Sequence, residues 1–344
     1  MDDVKNKMYW AKRYEASLDD SIKKARLTNG ELKANYQRAI RRLEKNMNDW
    51  YRRFAHENSI TLQEARKILN NYELKQFRLD LKGFIKEAKS EDLSESHIKM
   101  LEQASIRERL SREQALYISV VHEVERLATS QNIKMNSLLT DVYESAAYKA
   151  AYLAQSQRGE YSIVNRVNPD AVDRVINAEW ASDGKDFSSR IWTDKVKLIK
   201  ALQNDFTQSF IVGEGMDNMS EKLANRLNVS YNNARRLVET ETARVHEQAS
   251  LDSMERLDVD KLEILATLDR KTSKICRRMD GKIVPIKDAR PGVTVPPFHC
   301  YCRSTTIPYI EGLKGESRTA RGKDGKSMSI EKMTYDEWAD KYLE

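Results

Sequence analysis

Tyr36, Ile40, Leu43, Met47, Trp50 and Phe54 follow one another at spacings of four, three, four, three and four residues. An α-helix gathers such a series onto one stripe, and the 3.5-residue mean is that of a helix packed lengthwise against another. An earlier stripe, Trp10, Tyr14, Leu18 and Ile22, runs at i, i+4 spacing, and Asn29-Gly30 between the two predicts a helix break. The aromatic residues of both stripes read as helix–helix packing rather than as a platform for stacked bases. "TLQE" at Thr61–Glu64 and "SREQ" at Ser111–Gln114 fit capping boxes that open further apolar-periodic runs. The helical pattern continues to about Gln157.

Arg158-Gly159 and Asn168-Pro169-Asp170 punctuate the chain there. A helix then runs through "KLIKALQNDFTQSFI", the turn "VGEGMD" follows, and "SEKLANRLNV" and "SYNNARRLVETETARVHEQASLDSME" are both helical in pattern. The period next changes to two. Leu262, Ile264, Ala266 and Leu268 alternate as in a half-buried strand, Asp280-Gly281 suits a tight hairpin turn, and "RSTTIPY" reads as a further strand. The fold class expected is therefore mainly α: long amphipathic helices, then a small α+β C-terminal module, then a flexible arm with a terminal helix. The divisions expected are an N-terminal helical region over 1–157, a central helical region over 158–257, the β-containing module over 258–310 and a basic arm over 311–344. The terminal helix is expected from the capping box and the Tyr335, Trp338 and Tyr342 face of "TYDEWADKYLE".

One third of the 344 residues are charged, and the mean hydropathy is −0.71. No run approaches the roughly eighteen consecutive apolar residues of a membrane span. "MDDVKNKMYWAKRYEASL" lacks the apolar core of a signal peptide, so synthesis in a cytoplasm with reduced thiols is expected. The net charge is +6, yet Ala266–Lys326 alone holds fourteen Lys/Arg against six Asp/Glu, so basicity is focused near the C-terminal end. A solvated surface accounts for that excess as well as a phosphate-binding face does.

Cys276, His299, Cys300 and Cys302 concentrate three thiols and an imidazole in this module. Tetrahedral Zn²⁺ takes such ligands, and a module with little core gains stability from the ion. The spacing is not that of a standard finger, and reduced buried cysteines or a disulfide from Cys276 to Cys300 or Cys302 remain open. A cysteine nucleophile would need a base, and His299 beside Cys300 would face away from it in a strand. His122-Glu123 and His246-Glu247 are each followed by residues that leave H-E-x-x-H incomplete, and the phosphate-binding G-x-x-x-x-G-K-[ST] is missing. Glu239-x-Glu241 matches the carboxylate pair of ADP-ribosyltransferases, but on a helix the two would point about 200° apart.

The ordered set of motifs resembles the phage minor head proteins, also called head morphogenesis or Mu F-like proteins. "YWAKRYE" looks like the opening W-x-x-R, "FSSRIW" precedes a helix and the Gly213/Gly215 turn, and "ARRLVETETARV" is similar to R-T-E-T-A-R. Asp269, Arg270, Thr272, Cys276, Asp280, Gly281, Lys282, Pro296, Pro297, His299, Cys302 and Arg303 fall on the family's C-terminal motif. Ser273 and Ser304 stand where the family often has cysteine, and Cys300 where it has proline.

The resemblance implies a non-catalytic virion component, made in the bacterial cytoplasm and lodged inside the head in a few copies. Its implied partners are the portal protein, capsid or scaffolding proteins and non-specific double-stranded DNA. Candidate DNA contacts are Arg277, Arg278, Lys282, Arg303, Arg318, Arg321 and Lys323; candidate ligands of a structural zinc are Cys276, His299, Cys300 and Cys302. The alternative is an enzyme delivered from the virion with the DNA, either an ADP-ribosyltransferase or a nuclease.

Overall fold

The computed structural model describes residues 7–57, 59, 61, 81–105, 112–159, 161–181, 183–212, 214, 216–267, 269, 271–309, 317–321 and 327–331. The helices are α1 (Lys7–Glu57), α2 (Leu81–Ser90), α3 (Glu95–Ser105), α4 (Arg112–Arg158), α5 (Pro169–Ile176), α6 (Phe187–Val212) and α7 (Met216–Arg256). The module that follows holds β1 (Lys261–Leu265), α8 (Lys274–Met279), β2 (Ile283–Pro285) and β3 (Thr305–Pro308), and β4 (Ser317–Arg321) and β5 (Ser327–Glu331) come after it. This is a mainly α chain with a small α+β module, as expected. Among the described residues no helix is long and apolar enough to cross a membrane.

The chain divides into two compact units, each assembled from separated segments. One comprises residues 29–134 and 188–235. Its core is made by four helices: Tyr36, Leu43 and Met47 of α1, Leu116, Val120, Val124 and Leu127 of α4, Leu202 and Phe206 of α6, and Leu223 and Leu227 of α7. The heptad series of α1 thus supplies the seam it predicts; the side chains of Trp50 and Phe54 lie outside the described residues. A satellite core around Leu81, Ala88, Leu93 and Leu101 holds α2 and α3 against Ile118 of α4.

Asn29-Gly30 does not break the helix. α1 runs through it unbroken, with Asn29 buried and Gly30 exposed. A mid-helix glycine costs only about 1 kcal/mol, whereas burying side chains the size of Leu32 and Tyr36 returns about 1.5–3 kcal/mol each. The dipeptide instead marks the passage from one unit to the other, which falls between Thr28 and Asn29. Thr61 is described but the rest of its capping box is not; Ser111 also lies outside the described residues, next to the start of α4 at Arg112.

The other unit comprises residues 1–28, 135–187 and 236–344. Trp10 and Tyr14 of α1, Ala150 and Leu153 of α4 and Leu251 and Met254 of α7 share a core with Leu262 and Leu265 of β1, with Val295, and with Ile307 of β3. The module is therefore seated on helices rather than hung beside them. α5 opens where the Asn168-Pro169-Asp170 punctuation stands: the Asn168 side chain accepts from the Asp170 N–H at 2.9 Å, and proline takes the first helical position.

The sheet is antiparallel in the order β2-β1-β3, with Leu262 opposite Val284 on one side and Pro308 on the other. β1 is central, so Leu262, Glu263, Ile264 and Leu265 are all buried, and the half-buried alternation expected of it does not hold. Leu268 lies outside the described residues. Asp280-Gly281 is also not a hairpin turn between strands. It closes α8 and leads into β2, with Gly281 at φ +71°, its N–H bonded to the Ile264 carbonyl and the Asp280 carboxylate accepting from the Ala266 N–H. Gly292, at φ +87°, lies so close to Trp180 that a Cβ there would come within 2.9 Å of the indole.

The arm expected to be flexible carries structure instead: β4 and β5 pair antiparallel, Ser317 opposite Glu331 and Arg321 opposite Ser327. Backbone pairing accounts for this in spite of the polar composition. The terminal helix expected around Tyr335–Tyr342, like the Gly213/Gly215 turn, falls outside the described residues.

Candidate functional site

The stretch from Glu239 to Glu247 on α7 is buried at every position. A helix surrounded on all sides must bury its polar groups, and each such group then needs a partner. Arg244 and Glu241 satisfy one another, Nε to Oε2 at 2.7 Å. The other Glu241 oxygen accepts from Trp180 Nε1 at 2.9 Å, and the Arg244 Nη atoms donate to the carbonyls of Val175 and Ile176 at the end of α5. Arginine thus caps α5, and both carboxylate oxygens of Glu241 are occupied. A carboxylate pair open to a nicotinamide substrate does not form here, since Glu239 is buried as well.

Six residues along, Glu247 ties the module to the same helix. Thr306 Oγ1 donates to its Oε1 at 2.6 Å and Thr305 Oγ1 to its Oε2 at 3.4 Å. Burial pushes the Glu247 carboxyl up to about 7, against the opposing hydrogen bonds from Thr306 and Thr305. Next to it, His246 Nδ1 is 2.9 Å from Ser21 Oγ, and burial drives its pKa down to about 4.

Cys276, on α8, faces His299 and Cys302 from the turn before β3. Cys276 Sγ is 3.1 Å from His299 Nε2 and 3.7 Å from Cys302 Sγ, and the three ligating atoms lie within 4.8 Å of one another. His299 Nδ1 contacts the Cys300 carbonyl at 2.7 Å. A carbonyl only accepts, so Nδ1 bears the proton and Nε2 turns its lone pair toward the sulfurs. Both cysteines are buried and His299 half-buried. Cys300 is exposed and outside the group. The hydrogen bond between the two thiols, aided by burial, raises Cys276 far above the ordinary thiol range; the same bond draws Cys302 down to about 6.

Of the candidate DNA contacts, Arg278 and Lys282 are exposed on and just after α8, alongside exposed Lys271, Lys274, Lys287 and Arg290. Arg277 is half-buried and donates from Nε to the Thr272 carbonyl at 3.0 Å. Arg303 is committed elsewhere: its guanidinium forms a two-pronged ion pair with Asp269. Partial burial works to raise the Asp269 pKa, but the hydrogen bonds and charge of Arg303 outweigh it and hold the carboxylate below its usual range. Arg318 and Arg321 stand on β4, where only the backbone is described, and Arg270 and Lys323 lie outside the described residues.

In the unit of residues 29–134 and 188–235, sequence reasoning missed a buried pair. His97 Nε2 is 3.0 Å from His122 Nδ1, and His122 Nε2 is 3.2 Å from Glu87, with Phe84 stacked on the His122 ring. Burial, and secondarily the neighbouring His122, depress His97 to about 4. The signal available was weak: His97 and His122 each fall among apolar residues of a helical pattern, but nothing in sequence brings one to the other.

Residues 200–307, from the middle of α6 to β3, match the family model described as Phage Mu protein F like protein. That stretch is similar to the Mu F-like proteins that its motifs resemble. Over 219 residues, 59% of this chain and 70% of the relative, it is 26% identical to "Minor head protein GP7" of Bacillus phage SPP1. No solved structure matches it.

Proposed function

We propose that this chain is a phage minor head protein that acts in head assembly at the portal vertex and touches packaged or ejected DNA through its basic module, without catalysing a reaction. The observation that carries this reading is the Mu F-like match itself: it spans α7 and the small module that interlocks with it, and a minor head protein aligns with this chain over 70% of its own length. The interior supports a holding role. Glu241 bonds Arg244 and Trp180, Arg244 bonds the end of α5 and Glu247 bonds β3, leaving the surface as the place where partners are met.

For DNA, the exposed cations Arg278 and Lys282, with Lys271 and Lys274 near them, offer phosphate contacts that carry no sequence information. Portal and capsid or scaffolding proteins are the protein partners of this reading, and the interior of the head is its place.

The test is capture of the purified full-length chain by portal and, separately, by double-stranded DNA at several salt concentrations. Retention by portal and salt-sensitive, sequence-independent retention by DNA are expected; failure with both overturns the proposal. Removing everything after residue 257 is a poor control, because it would strip Leu262, Leu265 and Ile307 from the core they share with Trp10 and Met254.

A further inference from the structure

We propose that Cys276, His299 and Cys302 bind one zinc ion, with three protein ligands and a fourth position left to solvent. Zinc–sulfur bonds of about 2.3 Å and zinc–nitrogen bonds of about 2.0 Å at tetrahedral angles set ligand separations of about 3.8 Å between sulfurs and about 3.5 Å between sulfur and nitrogen. The two Sγ atoms already stand 3.7 Å apart, and Nε2 lies 3.1 Å from Cys276 Sγ. Nε2 and Cys302 Sγ lie within 4.8 Å of one another, so the half-buried His299 ring completes the geometry by easing off Cys276 and settling toward Cys302.

The surroundings are those of a ligand set. The Cys300 carbonyl fixes His299 in the tautomer whose Nε2 is free to bind, as partners of metal-bound histidines do. The Cys302 N–H donates to the His299 carbonyl, closing the turn that carries two ligands, and Ser273 accepts from the Cys276 N–H where α8 begins. Ala266, Ile275 and Phe298 give the cluster an apolar wall. The ion would pin α8 to the turn ahead of β3, a join otherwise made by a small apolar cluster, the Asp269–Arg303 ion pair and a few hydrogen bonds. Cys300 takes no part, since it is exposed and outside the group. This inference stands apart from the head-protein reading and neither depends on the other.

The experiment uses full-length protein made without a histidine tag, with zinc counted by elemental analysis after dialysis. One zinc per chain is expected. Exchange for Co²⁺ should bring a thiolate-to-cobalt charge-transfer band and the intense visible bands of a tetrahedral ion, and a strong chelator should lower the Tm by about 3 °C or more. Cys300→Ser should keep the metal; Cys302→Ser should lose it, and His299→Gln, at a half-buried position that folding tolerates better, should weaken it at least tenfold. Three results overturn the proposal: a folded chain free of zinc with all three thiols reactive after unfolding, a Cys276–Cys302 disulfide seen by mass under non-reducing conditions, or metal lost on Cys300→Ser.

Discussion

Both Nη atoms of Arg303 bond the Asp269 carboxylate, with Nη2 to Oδ1 at 2.8 Å, across thirty-four positions of sequence. The pair closes the loop before α8 onto the residue that follows Cys302. A cation so engaged holds the module together, and its release to a phosphate would take the guanidinium from Asp269. Asp269→Asn is therefore expected to lower stability by about 1–2 kcal/mol, read by denaturant unfolding, and Arg303→Gln by a similar amount. A loss of DNA affinity from Arg303→Gln with stability unchanged would show that the guanidinium works outward instead.

The exposed cations should behave in the opposite way. Arg278→Gln combined with Lys282→Gln should leave unfolding within about 0.5 kcal/mol of the wild type. It should weaken DNA binding across sequences and flatten the dependence of log K on log salt by about 0.9 for each phosphate no longer neutralised. Fluorescence anisotropy over a salt series reads both quantities, and an unchanged slope would remove these residues from the interface.

Glu241 and Arg244 are a buried pair with every partner in place, so breaking it is expensive. Arg244→Met leaves the buried Glu241 carboxylate without its charge partner and takes a donor from the Val175 and Ile176 carbonyls, and a loss of about 3–5 kcal/mol is expected. No chemistry should accompany it: wild-type protein incubated with NAD should release no nicotinamide. Turnover that Glu241→Gln abolishes would contradict the non-catalytic reading.

The buried titratable groups predict a pH dependence of determined sign. His97 and His246 sit near 4 in the fold, against about 6.5 when exposed. The unfolded chain therefore takes up protons that the fold refuses, and stability is lost as pH falls from about 6.5 toward 4. Glu247 opposes this, because its carboxyl keeps a proton up to about 7 in the fold and only up to its ordinary 4.5 outside it; its contribution is present below that lower value and is lost as pH rises through 7. Two histidines outweigh one carboxyl, so Tm should rise between about pH 4.5 and 6.5. Glu247→Gln should steepen the rise and His246→Gln should flatten it; a fall in Tm across the same interval would refute the assignment.

Much of the helical architecture was legible because it rests on local periodicity: Tyr36, Leu43 and Met47 repeat, and they are buried together. The Cys276, His299 and Cys302 grouping was legible as residue type and position, but which thiol stands aside was not, since the turn at Tyr301, with φ +60°, decides which way Cys300 points. Asn29-Gly30 misled because local propensity is weak beside the tertiary burial that carries α1 through it. The roles of Glu247, Arg244 and Trp180 were hidden for another reason. Their partners lie about sixty or seventy residues away, and a charged helix looks the same in sequence whether it faces water or runs through a core.

The most direct measurement concerns where the chain goes. Procapsids assembled with and without portal, in the presence of this protein, can be purified and its copies per particle counted by quantitative mass spectrometry. Incorporation at a few copies per particle that requires the portal is the predicted result. Equal incorporation into particles that lack a portal, or none in either, would contradict a role at the portal vertex.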